Sequence, residues 1–131
     1  MTRQNIELLA KDLSCRIPYG VKFLRESWNY EWDQELSVIE VLEDIDKDGY
    51  INNTKVYNVE DIKPYLFPMS SMTEEQKVIY GDLCYSIIQS LAKNMQSELN
   101  ELINWLNAHH FDYRGLIEKG LAIDATNLNV Y

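Results

Sequence analysis

The sequence contains few of the residues from which cofactor and metal sites are usually built. It has two histidines and two cysteines among 131 residues, and its five glycines are scattered singly. Cys15 and Cys84 match no metal-binding or redox spacing, and the sequence has no glycine-rich phosphate loop. The sequence therefore predicts two free thiols in a reduced compartment and no bound cofactor.

A long apolar segment, of the kind that crosses a membrane or directs secretion, is also absent from the sequence. We therefore expect a cytoplasmic protein without membrane contact. The length of 131 residues fits a single domain over residues 1–131, and 46% hydrophobic with 25% charged residues is a typical globular composition. The sequence leaves the oligomeric state open.

Basic residues are scarce relative to acidic ones. The chain has 12 Lys and Arg against 21 Asp and Glu, which gives a formal net charge of −9. This charge repels nucleic-acid phosphates, so direct binding of DNA or RNA is not expected. Residues 31–48 hold eight acids and one base, Lys47. This segment is either a solvated face or a docking surface for a basic partner.

Hydrophobic periodicity predicts a helix followed by strands in the first half of the chain. Residues 3–14 fit an amphipathic helix with Thr2 as its N-cap. The predicted strands span residues 21–26, 36–45 and 50–57. Asp48-Gly49 between the last two is typical of a hairpin turn. Residues 35–45 also fit helical spacing, but their β-branched content favours a strand.

The second half of the chain is predicted to be mainly helical. Pro64 and Pro68 predict an ordered connector over residues 59–72 rather than a regular element. Thr73 and Gln76 form a capping box that starts the first of two long helices, and a last short helix is predicted from Asp112 to Gly120. The predicted fold is α+β: an N-terminal helix, a small antiparallel sheet of three or four strands, and a helical C-terminal half packed on it.

The segment that starts at Asp44 matches the first part of an EF-hand calcium loop. Asp44, Asp46 and Asp48 occupy loop positions 1, 3 and 5, and Gly49 occupies position 6. Calcium prefers several hard oxygen ligands on such a turn, but position 12 is Lys55 instead of a bidentate glutamate. The sequence therefore favours an acidic hairpin turn, with a weak calcium-binding module as the alternative.

A second cluster of functional residue types lies near the end of the predicted helices. Its members are Trp105, His109, His110, Asp112, Tyr113 and Arg114. A structural interpretation has a histidine stabilising the helix C-terminus and Asp112 capping the next element. The functional alternatives are a small metal-assisted enzyme that uses His109, His110 and Asp112, and a surface patch that binds a partner.

A third candidate is the combination of aromatic and acidic residues in the first half. Its members are Trp28, Tyr30, Trp32, Glu40, Glu43, Asp44, Asp46 and Asp48. Exposed aromatic side chains beside acids suit protein recognition, whereas a core-facing role is the structural alternative for the aromatics. In one version of the recognition hypothesis, the carboxylates mimic nucleic-acid phosphates and occupy a basic protein.

Three blocks of the sequence, residues 17–22, 61–75 and 105–122, resemble a family of short proteins from gut bacteria and their prophages. The blocks read IPYGVK, DIKPYLFPMSSMTEE and WLNAHHFDYRGLIEKGLA. The resemblance implies an association with mobile genetic elements and no catalytic residue. The sequence thus favours a non-enzymatic protein-binding or adaptor protein, whose partner is another protein, over the enzyme and calcium alternatives.

Overall fold

A computed structural model describes residues 2–29, 34–46, 50–52, 56–90 and 95–131. The helices are α1 (Arg3–Arg16), α2 (Glu74–Gln89) and α3 (Met95–Ala108). The strands are β1 (Lys22–Asn29), β2 (Gln34–Val41), β3 (Tyr50–Asn52), β4 (Val56–Asn58), β5 (Ile62–Pro68), β6 (Phe111–Asp112) and β7 (Ile123–Asp124). The predicted α+β class is confirmed, with its N-terminal helix and helical C-terminal half. None of the helices in the described ranges has the length and apolar character needed to cross a membrane.

The main sheet is mixed rather than wholly antiparallel. Its strands lie in the order β2-β1-β5-β6, and β7 also pairs with β5. The β1–β2 and β1–β5 pairs are antiparallel, whereas β6 and β7 run parallel to β5. Parallel neighbours need a long crossover connection, and α2 with α3 supplies it between β5 and β6. The prediction of an antiparallel sheet missed these two short strands because they follow the helices.

Strand β5 occupies residues that the sequence assigns to a connector, and it lies at the centre of the sheet. Proline lacks the N–H that a sheet ladder needs, which is why the two prolines argued against a strand. However, Pro64 is the last residue that pairs with β1, opposite Phe23, and Pro68 is the last residue of β5. A missing donor disrupts little at those positions, while Ile62 and Leu66 are buried in the core.

The middle of the chain is extended, so the helical alternative over residues 35–45 is wrong. The predicted strand over 50–57 is divided into β3 and β4, which pair with each other as a separate hairpin. Ile45 forms an antiparallel bridge with Ile51, so the chain reverses across the predicted turn. Asp48 and Gly49 of that turn lie outside the described residues.

The predicted last helix is a hydrogen-bonded turn. Gly120 N–H donates to Ile117 O at 3.0 Å, and Leu121 N–H donates to Leu116 O at 2.9 Å. This pair of bonds is the Schellman pattern that ends helices, and the φ of +72° at Gly120 is the left-handed conformation that the pattern requires. The stop at Gly120 was therefore predicted correctly, but the residues before it make too few turns for a helix.

Two groups of buried side chains hold the elements together. The larger places α1 on the sheet, with Leu9 and Leu13 fully buried against Phe23 and Leu66. Thr2 begins α1 as predicted, because its hydroxyl accepts from Asn5 N–H. The smaller group packs α3 on β5 and β6. Its buried members are Met72, Leu106 and Phe111, with Phe67, Met69, Tyr80, Leu102, Ile103, Trp105 and Tyr113 around them.

Candidate functional site

The junction between α3 and β6 carries both histidines, and each has a separate partner. His109 Nδ1 lies 3.0 Å from Trp105 O, and the His109 ring centroid is 4.7 Å from that of Trp105. His110 follows with a φ of +61° and turns the chain toward β6. Its carbonyl accepts from Phe67 N–H at 2.8 Å, which begins the pairing of β6 with β5. His109 thus finishes the helix, as the structural interpretation predicts.

The His110 ring lies flat against the ring of Tyr131, with centroids 3.8 Å apart and planes 11° apart. Burial, followed by the charges of Arg16, His109 and Lys22, lowers the pKa of His110 to about 4. The imidazole is therefore neutral near pH 7. Its Nδ1 is buried and has no hydrogen-bond partner in the part of the chain that the structure describes.

The carboxylate of Asp112 accepts hydrogen bonds from the backbone that follows it. Its two carboxylate oxygens accept from Leu116 N–H and Ile117 N–H, both at 2.9 Å, and the residue is buried. The metal-assisted alternative requires Asp112 to converge with His109 and His110, and this geometry directs it elsewhere. Across the described ranges, three or more His, Cys, Asp or Glu side chains do not come together in an arrangement that could hold a metal ion.

A cleft of about 380 Å³ opens beside the two histidines. Its lining residues are Phe67, Ser71, Thr73, Gln76, Ala108, His109, His110 and Phe111. The polar side chains at the edge of the cleft form hydrogen bonds within the chain. Ser71 Oγ donates to Pro68 O at 2.7 Å, and Gln76 Oε1 accepts from Thr73 N–H at 2.9 Å. The second of these bonds belongs to the predicted capping box, which is complete. The rim thus caps the start of α2.

The remaining residues of the Trp105–Arg114 cluster surround a buried ion pair in α1. Arg16 Nε and Asp12 Oδ2 are 2.7 Å apart, and both side chains are inaccessible to solvent. Arg114 Nη1 approaches the same carboxylate at 3.5 Å. Both guanidinium groups lie over the Tyr113 ring, with Arg16 Cζ 5.1 Å and Arg114 Cζ 4.8 Å from its centroid. These contacts join α1 to the segment after β6, and the partner-binding alternative for this cluster stays a prediction.

The hydroxyl of Tyr131 links strands β1 and β5. The β1–β5 register, continued by one residue, would place Lys22 opposite Tyr65. The hydroxyl of Tyr131 lies between them, since it accepts from Lys22 N–H at 2.9 Å and donates to Tyr65 O at 2.7 Å. Burial raises the pKa of Tyr131 to about 12, so the hydroxyl keeps its proton at neutral pH.

Tyr131→Phe should lower the free energy of unfolding by about 1 kcal/mol, because both strand groups lose their shared partner while the ring stays in place. The change is measured by urea denaturation. Tyr50→Phe, which alters a tyrosine exposed on the surface, is the matched control and should leave the midpoint in place. Equal midpoints for Tyr131→Phe and the wild type would show that the hydroxyl does not join the strands.

The acidic segment is only partly available to a partner. Glu40 pairs with Arg25 at 3.4 Å, and Asp46 Oδ1 accepts from Tyr50 N–H at 3.0 Å in the hairpin. Glu43 and Asp44 are exposed. The backbone of Trp28 lies in β1 opposite Glu35, but its side chain lies outside the described part. Tyr30, Trp32, Asp48 and Lys55 also lie outside the described residues.

A surface that the sequence analysis missed lies on α2. Tyr80 of this helix stacks on Trp105 of α3 at 6.5 Å, so one face of α2 is covered. On the other face Val78, Tyr85 and Ile88 are 64%, 62% and 59% exposed, and Gly81 has open space beside its Cα. We call Val78, Gly81, Tyr85 and Ile88 the outer face of α2. Their spacing of three, four and three residues forms a second apolar stripe, apart from the face that contacts α3, and this spacing is visible in the sequence.

Comparison of the chain with protein-family models, with curated proteins and with solved structures gave no match. The resemblance to gut-bacterial and prophage proteins therefore stays a prediction. Among the described residues, the outer face of α2 is an apolar surface that the other described elements leave exposed.

Proposed function

We propose that this protein is a non-enzymatic protein-binding module that docks its partner on the outer face of α2. The single observation that carries the proposal is the exposure of Val78, Tyr85 and Ile88 on a helix whose opposite face is already packed. Contiguous apolar surface on a folded domain marks an interaction site, and aromatic residues are enriched at such sites. The further proposal of an adaptor from a mobile genetic element rests on the sequence resemblance alone.

The chemistry of the outer face fits an amphipathic helix as the bound element. An apolar stripe on one helix packs against an apolar stripe of the same spacing on another helix. α2 carries Glu75 and Asp82 along one flank of the stripe and Lys77 along the other. Because the flanks differ in charge, they favour one orientation of the bound helix over the other.

The nucleic-acid mimic receives less support than helix docking. A mimic needs carboxylates that are free to imitate phosphates. Glu40 is instead neutralised by Arg25, and Asp46 is engaged by the backbone of its own hairpin. Glu43 and Asp44 are exposed in the described part of this segment.

Tyr85→Lys should abolish partner binding, because it sets a hydrated cation at the centre of the apolar stripe. The measurement is affinity capture from the cells that produce the protein, with the bound proteins compared between variants. Asn104→Lys introduces the same charge at an exposed position of α3 and is the matched control. We expect the control to retain every specific partner that Tyr85→Lys loses.

Thermal unfolding of both variants checks that the comparison concerns docking, since exposed helix positions tolerate lysine with little change in stability. If Tyr85→Lys and the wild type capture the same proteins in the same amounts, the outer face of α2 is not the docking surface and the proposal fails.

A further inference from the structure

We infer that the outer face of α2 binds the same face of a second copy of this chain, with the two helices parallel. This inference rests on the proposed function and names the partner. Val78, Gly81, Tyr85 and Ile88 occupy successive a and d positions of a heptad pattern. Those positions form the seam of a two-stranded coiled coil, in which each stripe is covered by its own equivalent.

The charges that flank the stripe select the parallel orientation. Lys77 lies at a g position and Asp82 at the following e position. In a parallel pair, a g residue faces the e residue five positions later in the other helix. Lys77 of each copy then faces Asp82 of the other, which gives two equivalent ion pairs. An antiparallel pair would place the e flank, with Glu75 and Asp82, against itself and bring acids together.

The contact that Lys77 makes within its own helix does not prevent the ion pair with Asp82 of the second copy. Lys77 Nζ lies 3.0 Å from Glu74 Oε1 in its own helix, and both side chains are largely exposed. An exposed ion pair of this kind contributes at most about 1 kcal/mol to stability. Lys77 can therefore exchange Glu74 for Asp82 of the second copy, where the pair is less exposed to water. Gly81 has open space beside its Cα, and in the parallel pair it faces Gly81 of the second copy, so the two helix backbones can approach each other there.

The size of the seam sets the strength of the pairing. α2 has 16 residues, so it is about 24 Å long and offers two heptads. The buried area then falls below about 1,200 Å², in the range of weak and transient interfaces. The net charge of −9 on each copy opposes association further. The dimer should therefore form in a concentration-dependent manner.

Sedimentation equilibrium of the full chain over a wide concentration range tests the inference. The wild type and Asn104→Lys should show the same monomer–dimer equilibrium. Tyr85→Lys should weaken the association at least tenfold, about 1.4 kcal/mol. Lys77→Glu should also weaken it, and the double variant Lys77→Glu/Asp82→Lys should recover it because the ion pairs are restored with exchanged signs.

Orientation is tested by cross-linking at Ile88, which meets its own equivalent only in the parallel pair. Ile88→Cys, in a chain with Cys15 and Cys84 changed to Ser, should form a disulfide-linked dimer on mild oxidation. A wild type that stays monomeric at every concentration overturns the inference, and so does a dimer that is unaffected by Tyr85→Lys or not cross-linked at Ile88. If the chain is monomeric but Tyr85→Lys still loses another captured protein, the proposed function stands and only the second copy is excluded as its partner.

Discussion

Replacing Asp12 with asparagine should lower the free energy of unfolding by about 3–5 kcal/mol. The Arg16 side chain is fully buried, and it donates to Asp12 from Nε at 2.7 Å and from Nη2 at 3.1 Å. Without the carboxylate, its charge remains in the interior with Phe111 O, at 2.7 Å from Nη2, as its other hydrogen-bond acceptor. A buried charge without a counter-charge is among the most destabilising changes a core can undergo.

The chain provides its own control for this experiment. Glu7 accepts from Arg3 at 3.1 Å with the same four-residue spacing, on the same helix, but both side chains are exposed. Glu7→Gln should cost less than about 1 kcal/mol, because exposed ion pairs contribute little. The double variant Asp12→Leu/Arg16→Met should recover much of the stability lost by Asp12→Asn, since it removes both charges.

Urea denaturation at neutral pH measures these differences, and a calorimetric scan confirms that each variant unfolds in one transition. If Asp12→Asn changes the free energy of unfolding no more than Glu7→Gln does, Arg16 is solvated in solution and the interior ion pair does not hold α1 to the segment after β6.

These two ion pairs also show where sequence reasoning reaches its limit. Arg3–Glu7 and Asp12–Arg16 have the same spacing, and nothing local distinguishes the exposed pair from the buried one. Local signals did succeed elsewhere: Thr2 caps α1, Thr73 and Gln76 form a complete capping box, and Gly120 ends its turn. Each of these depends on residues a few positions apart, which the sequence presents together.

The features that the sequence did not reveal depend on distant residues. Strand β5 is a strand because β1 and β7 lie beside it, and the prolines that argued against it stand where pairing ends. Similarly, His109, His110 and Asp112 looked like a chemical cluster because they are adjacent in sequence. The fold assigns them to a helix end, a ring stack and a turn, respectively.

The candidate site was missed for a different reason. A helix packed on a core needs only one apolar stripe, and the sequence predicted α2 as a helix without assigning its faces. Val78, Tyr85 and Ile88 form a second stripe, which is exposed in the part of the chain that the structure describes. Apolar residues on two faces of one helix can be recognised from the sequence, but which face is covered follows only from the packing of α2 on α3.

The strained position of His110 leads to the second large effect, a loss of stability in mild acid. The pKa of His110 is lowered to about 4 in the folded protein, whereas a histidine in an unfolded chain has a pKa near 6.5. Between these values the unfolded state binds the proton and the folded state does not, so the stability contributed by the neutral ring declines as the pH falls from 6.5 to 4. The partial exposure of the ring reduces the effect to roughly 2 kcal/mol.

His110→Asn isolates this contribution, because asparagine accepts a left-handed φ and does not titrate. The groups that oppose the proton are Arg16 from α1, Lys22 from β1 and the neighbouring His109, with the Tyr131 ring stacked on the imidazole. All remain in the variant. We expect the wild type to lose about 2 kcal/mol more than His110→Asn between pH 7 and pH 4, measured by urea denaturation at each pH.

His109→Asn is the matched control, since it replaces an exposed histidine and leaves the burial of His110, the largest cause of its lowered pKa, in place. We expect it to keep most of the acid dependence of the wild type. Parallel pH profiles for the wild type and His110→Asn would mean that the imidazole is protonated without leaving its place against Tyr131. In that case the stacking of the His110 ring on Tyr131, and not the neutral charge of the imidazole, stabilises the turn from α3 into β6.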